Sequence, residues 1–154
     1  SNNNPMGVWR FNCVIDAYGK TLVGDGFSGA IGYLSATTYT ELGNTMQGMA
    51  VGPSMQNNRK RLFHAAFELH VEGGVGIATG QGSDPQLMYR ISRDGGHVFS
   101  AERFAPIGKI GEYSNLCRFW DLGMGRDIVH EISITDPVPF AVVGGYVEGE
   151  ALRA

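Results

Sequence analysis

Met88-Tyr89-Arg90-Ile91-Ser92 alternates apolar and polar residues and runs directly into Asp94-Gly95-Gly96. The chain then leaves through Val98 and Phe99. Alternation at period two marks a strand with one buried face. Asp-Gly between two strand-like runs is a strong hairpin signal, because glycine adopts the positive φ that tight reversals need. The Asp94 carboxylate can also accept N–H bonds inside the turn. A chain built from such pieces folds as sheets joined by tight turns.

The rest of the sequence repeats the theme. No window sustains an apolar stripe at i, i+3, i+4, i+7 without a glycine or a β-alternation breaking it. Glycine occurs 23 times in 154 residues, about twice the ordinary share of ~7%. The glycines are dispersed, as expected for many turns between short strands. In the clearest strand, Phe63, Ala65, Phe67, Leu69 and Val71 alternate with His64, Ala66, Glu68, His70 and Glu72. That pattern predicts one covered and one solvated face. Leu87, Tyr89 and Ile91 share a face of the next strand, and Ile128, His130, Ile132 and Ile134 share a face of a later one. Asp136-Pro137-Val138-Pro139 stops that later strand, since proline gives no donor to a ladder. Phe140 to Val147 reads as the last strand.

Residues 7–35 read as an up-down-up meander. Trp9 to Ile15 goes out, Thr21 to Asp25 returns, and Ala30 to Leu34 goes out again. This resembles one blade of a β-propeller. Met46 to Val51 reads as a weak strand and Gly52 to Asn58 as a linker. The expected organisation is a β-meander over 1–54, the end of an upstream propeller-like region, then an all-β domain over 55–154. Short strands with turns about every dozen residues make that domain an antiparallel β-sandwich, with a barrel as the alternative. Ser1-Asn2-Asn3-Asn4-Pro5 reads as a cloning scar or an interdomain linker, and the start on Val8-Trp9-Arg10-Phe11 as a piece cut from a longer protein.

The search for chemistry yields little. Net charge is −3 and lysine occurs only at Lys20, Lys60 and Lys109, which gives no non-specific grip on nucleic acid. Arg59-Lys60-Arg61 reads as a solvated strand start. No apolar run approaches the ~20 residues of a membrane helix. Cys13 and Cys117 match no metal spacing and sit in apolar runs, so two buried free thiols are expected. His64 and His70 are placed on one strand face roughly 20 Å apart at ~3.3 Å per residue, too far to share a metal ion. His97 falls in the hairpin, and His130 on an otherwise apolar face. Glu68 and Glu72 read as a solvated face, and Glu112 as a hydrogen-bond acceptor or a partner of Arg118 or Arg126. No nucleophile elbow, Walker loop or paired Cys-Xaa-Xaa-Cys is present. No catalytic residue, metal site or cofactor is therefore assigned, and the protein is expected not to be an enzyme. Met46, Met49 and Met55 crowd a weakly structured stretch and are the candidate interface, methionine being an adaptable contact residue.

Two resemblances bear on function. Ser92, Asp94, Gly96 and Phe99 are similar to the Asp-box of sialidases and related propellers, with Val98 where threonine is usual. The resemblance implies a structural hairpin, with the aspartate holding the turn and the aromatic tucked into the core. A second resemblance spans most of the chain. It runs through Arg59-Lys60-Arg61-Leu62-Phe63-His64, Phe67 to Gly76, Gly80 to Met88, Ser92 to Gly96 and Gly108 to Tyr113. It continues through Trp120-Asp121-Leu122-Gly123 and Thr135 to Pro139. In this order the motifs resemble the C-terminal region of the packaged-DNA stabilisation proteins of short-tailed bacteriophages and prophages. Trp9 to Leu34 looks like the stretch just upstream in that family. Phe99, where tryptophan is frequent, and Ser114-Asn115-Leu116-Cys117, in place of a more basic run, depart from the pattern.

The resemblance implies a structural virion protein of the tail hub or neck, also present in the host cytoplasm during assembly. It would close the portal channel after DNA packaging and dock later tail components. Its partners would be further copies in a homo-oligomeric ring, the portal or adaptor protein, and the tail needle or tailspike. It implies neither sequence-specific nucleic acid nor membrane. The alternative reading is a carbohydrate-binding β-sandwich or a sialidase-like Asp-box fragment.

Overall fold

The computed structural model describes residues 10–58 and 60–151. Trp9 and Arg59, which the sequence reading used, and the opening Ser1 to Pro5 lie outside the described residues. The chain divides into two compact units, Ser1–Thr38 and Tyr39–Ala154.

The first unit is an antiparallel meander of β1 (Phe11–Ala17), β2 (Lys20–Asp25) and β3 (Ile31–Tyr33), in the order β1-β2-β3. Tyr18 and Gly19, both at positive φ (55° and 70°), close the first reversal, the geometry that suits the twist of a two-residue hairpin. Asp25 organises the second. Arg10 donates to both its oxygens at 2.8 Å, the Phe27 amide donates at 3.2 Å, and the Ser28 hydroxyl completes the set. These bonds, the Arg10 guanidinium first, hold the Asp25 carboxyl well below the usual carboxylate range. Cys13, expected in a core, is exposed; Cys117 is buried, and both are free thiols. The short meander has no interior in which β1 could hide both faces: Val14 and Ile15, consecutive residues, are both exposed.

The second unit is a β-sandwich. One sheet has the order β10-β7-β12, with β7 at Leu62–Val71, β10 at Cys117–Gly125 and β12 at Val142–Ala151. The other has the order β6-β11-β8-β9, with β6 at Gly48–Val51, β8 at Gln86–Ser92, β9 at Arg103–Pro106 and β11 at Val129–Ile134. A small hairpin of β4 (Thr40–Glu41) and β5 (Asn44–Thr45) stands beside them in sequence. All named pairings are antiparallel, and neither sheet closes on itself, so the architecture is a sandwich and not a barrel. The sequence placed Met46 to Val51 with the meander and divided the chain after residue 54. In the structure β6 pairs with β11 through Met49↔Ser133 and Val51↔Glu131, and the second unit begins at Tyr39. Gly52 to Asn58 is not a free linker. The Gly52 amide donates to His130 O at 2.8 Å, and Met55 and Ile128 exchange backbone bonds.

The core lies between the sheets. Phe67, Leu69 and Val71 from β7 and Cys117, Phe119 and Leu122 from β10 face Leu87, Tyr89 and Ile91 from β8 and Ile132 and Ile134 from β11. Tyr89 is fully buried and bridges the layers, its ring 5.2 Å from Phe67 and 4.5 Å from Phe119. Each such side chain withdrawn from water contributes about 1.5–3 kcal/mol.

β7 is the central strand of its sheet, and it breaks its own alternation. Ala65 has no partner in either ladder: pairing passes from Ala66 to His64 against both β10 and β12, with register shifts in both neighbours. The buried set moves from odd positions, Phe67, Leu69 and Val71, to the even position His64. A one-residue irregularity exchanges the two faces of a strand. His64, expected on the solvated face, is thereby buried at 4% exposure. β10 makes the matching step, its buried positions running Cys117, Phe119 and then Leu122, with Asp121 and Gly123 at positive φ.

The irregularity demands glycine where β12 crosses it. A Cβ on Gly149 would lie 2.2 Å from the Phe63 carbonyl oxygen, whereas one on Gly145 would meet nothing closer than 3.5 Å. Gly149→Ala is expected to cost about 2 kcal/mol of stability by overpacking against backbone, and Gly145→Ala less than about 0.5 kcal/mol. Urea unfolding of the two variants checks this, and equal midpoints would show that β12 tolerates a side chain at the step.

Candidate functional site

The Asp94 hairpin is a closed hydrogen-bonding unit. The Ser92 hydroxyl, fully buried, donates to Asp94 Oδ1 at 2.6 Å and accepts from the Gly96 amide at 2.9 Å. Asp94 Oδ1 also accepts from the His97 and Val98 amides at 3.1 and 3.0 Å. These donors, Ser92 first, hold the Asp94 carboxyl below its ordinary range. Ser92 and Phe99 form a bridge, and Gly95 and Gly96 supply φ of 77° and 96°. Phe99 does not enter the core. It is half-buried beneath the Arg90 guanidinium, 5.2 Å from its ring centre, and Arg90 in turn holds buried Glu131 at 2.7 Å. Asp127 ties this region to the segment after β6, accepting from the Ser54 hydroxyl and from Gln56 Nε2 at 3.0 Å, while its carbonyl takes the Gly95 amide at 3.0 Å.

A second polar group sits inside the sandwich. His64 Nδ1 and His130 Nε2 are 3.2 Å apart, with ring planes 4° from parallel, and His130 Nδ1 is 2.7 Å from the Tyr89 hydroxyl. Burial pushes His130 down to about 4, with the His64 charge adding to it, and burial lowers His64 as well. Burial raises the Tyr89 phenol. The sequence missed this cluster because it placed His64 outside; His70, assigned to the same face as His64, is exposed on the opposite one. Among the described residues no group of three or more His, Cys, Asp or Glu side chains is arranged to hold a metal ion.

Two outer faces carry exposed apolar side chains. On the β6-β11-β8-β9 sheet, Met49, Ser133, Met88 and Phe104 stand in one row by register, and Val51, Glu131 and Arg90 in the next. Met49, Val51 and Phe104 are 58%, 54% and 60% exposed. Met46 is exposed too, while Met55, on its bridge to Ile128, is half-buried. Of the three predicted interface residues, Met49 lies in the row, Met46 lies two residues before β6, and Met55 serves as a clip between segments. Val51, Met88 and Phe104 were not predicted; the period-two phase of β8 already assigned Met88 to the outer face.

On the β10-β7-β12 sheet, Arg118 lies 3.8 Å over the Trp120 ring, approaches Glu68 at 3.4 Å and pairs with Glu148. Tyr146 stands across from Glu68, and Trp120 and Tyr146 are more than half exposed. Arg118 therefore pairs with Glu68 and Glu148, while Glu112 accepts the Lys109 amide at 3.1 Å.

Fold and surfaces together define a β-sandwich module with a filled core, a self-satisfied hairpin and two outer faces bearing exposed apolar side chains. Residues 48–150, about two thirds of the chain, match the family described as bacteriophage P22 Gp10, β-sandwich. The chain belongs to that family, which makes it a phage structural tail protein. No match is found among curated proteins.

The hairpin analysis makes Asp94 a local organiser. Asp94→Ala is expected to speed amide exchange at His97 and Val98 by roughly tenfold or more while leaving the protection of β7 and β10 intact. Residue-resolved hydrogen exchange measures both, and unchanged protection at His97 and Val98 would count against that role.

Proposed function

We propose that the protein is a non-enzymatic component of the tail hub or neck of a short-tailed phage. It closes the portal channel after DNA packaging and docks later tail parts. In this reading it works in the virion as a homo-oligomeric ring, after assembly in the host cytoplasm. It meets the portal or adaptor protein on one side and the tail needle or tailspike on the other. The observation that carries the reading is the outer row of Met49, Met88 and Phe104 on a module whose interior is already filled. Methionine and phenylalanine in one row on an outer sheet face give an adaptable apolar surface suited to protein neighbours. The stabilisation of packaged DNA is then mechanical: with a net charge of −3, the chain carries no excess of positive charge to hold phosphate.

A second reading, glycan binding, draws on Trp120 and Tyr146 beside the Glu68–Arg118–Glu148 group. It does not draw on the Asp94 hairpin, whose carboxylate is committed to its own turn.

The double variant Met49→Lys/Phe104→Lys is expected to keep the wild-type melting temperature within a few degrees and to lose incorporation into necks. Negative-stain imaging of portal complexes mixed with each protein checks this. Wild-type levels of neck density with the variant would remove this face from the docking role. Quenching of Trp120 fluorescence by oligosaccharides, lost in Tyr146→Ala, would favour the glycan reading instead.

A further inference from the structure

Both ring nitrogens of His130 are engaged, Nδ1 with the Tyr89 hydroxyl and Nε2 with His64 Nδ1. A neutral imidazole has one N–H and one lone pair. Among the described residues, the Tyr89 proton finds an acceptor only at His130 Nδ1. The direction of the chain follows. Tyr89 donates to His130 Nδ1, His130 donates from Nε2, and His64 accepts at Nδ1, keeping its own proton on Nε2.

In that arrangement neither imidazole has a spare lone pair. A proton added at His130 Nδ1 evicts the tyrosine proton. A proton added at His64 Nδ1 sets two N–H groups against each other. The first reverses the Tyr89 link and leaves the phenol proton without its acceptor, and the second breaks the link between the rings; either leaves a cation between the sheets, where the His130 ring lies 4.8 Å from Phe67. The links also span the layers, because His64 is on β7 of one sheet while Tyr89 and His130 are on β8 and β11 of the other.

The surroundings give a proton access to His64 and little compensation. His64 lines a shallow surface pocket with Leu62, Val147 and Glu150 of β12. β10 sets Gly123 opposite His64, and the Arg93 guanidinium packs against that glycine. Arg93 and Arg103 bring positive charge toward the Tyr89 phenol. From β11 itself, Glu131 points to the opposite face and is held by Arg90. The segment after β6 contributes a backbone amide, from Gly52 to the His130 carbonyl. Glu150 is the one carboxylate in this set on the His64 side.

We propose that the Tyr89–His130–His64 chain is a proton-sensitive clasp between the two sheets, closed at neutral pH and opened by acid through His64. The lowered affinity of both buried rings for protons fits this. A group whose folded value is depressed gives stability that is present above its unfolded value and is lost as pH falls through the folded one. For His130 that window runs from the ordinary 6.5 down to about 4. The bound carboxylates Asp25 and Asp94 act in the same direction, but only below their ordinary 3.8, so the two effects separate on the pH axis.

The test is urea unfolding of the full chain between pH 7 and pH 4.5, with an NMR titration of its histidines. In the wild type the unfolding constant should rise by up to about tenfold per pH unit for each proton taken up. His64→Gln/His130→Gln should flatten that slope. Tyr89→Phe, which frees His130 Nδ1, should move the loss to higher pH. In the wild-type titration, protonation of His64 and His130 should coincide with loss of the near-UV signal. An unchanged slope in the double variant would overturn the clasp. So would protonation of both rings with near-UV packing intact, a result that stands even if the variants fail to fold.

Discussion

The step at Ala65 in β7 is the constraint on which the rest of the sandwich depends. β7 is paired on both sides, so an irregularity in it must be answered by both neighbours. β10 answers with an extra residue and two positive-φ positions, Asp121 and Gly123. β12 answers with Gly149, which leaves room for the Phe63 carbonyl. The step turns His64 inward, where it meets His130 from the other sheet. A strictly alternating β7 would present His64 to solvent and leave the Tyr89–His130 pair without its third member.

The interior and the surface divide the work between them. Tyr89, Phe67, Phe119 and the two histidines form a stacked block that crosses the layers and fixes their spacing. Within that block Tyr89, both nitrogens of His130 and His64 Nδ1 satisfy each other, while His64 borders a surface pocket. The two outer faces differ in kind. One shows methionine, valine and phenylalanine beside Arg90 and its buried partner Glu131. The other shows Trp120 and Tyr146 around a charge group whose arginine is already held. The module is thus filled inside and leaves large apolar side chains on both outer faces.

Much of the fold was legible in the sequence. Period-two alternation identified β7, β8 and β11, and Asp94-Gly95-Gly96 identified the hairpin with its hydrogen-bonding logic. What failed did so for physical reasons. Phe99 looked like a core anchor because it is aromatic, yet Arg90 offered it a partner on the outer face. Cys13 looked buried because its neighbours are apolar, but three short strands cannot cover both faces of β1. Gly52 to Asn58 looked like a linker by composition, although its amides and side chains are pinned by Ile128, His130 and Asp127.

Strand identity, turn positions and the scarcity of chemistry-bearing motifs were thus determined by the sequence alone, since each is read from neighbours along the chain. The meeting of His64 with Tyr89 and His130, the row of Met49, Met88 and Phe104, and the recruitment of β6 to the sandwich were decided only by tertiary structure. All three depend on register between strands distant in sequence. A single unpaired residue, Ala65, was enough to exchange the faces that local alternation had assigned.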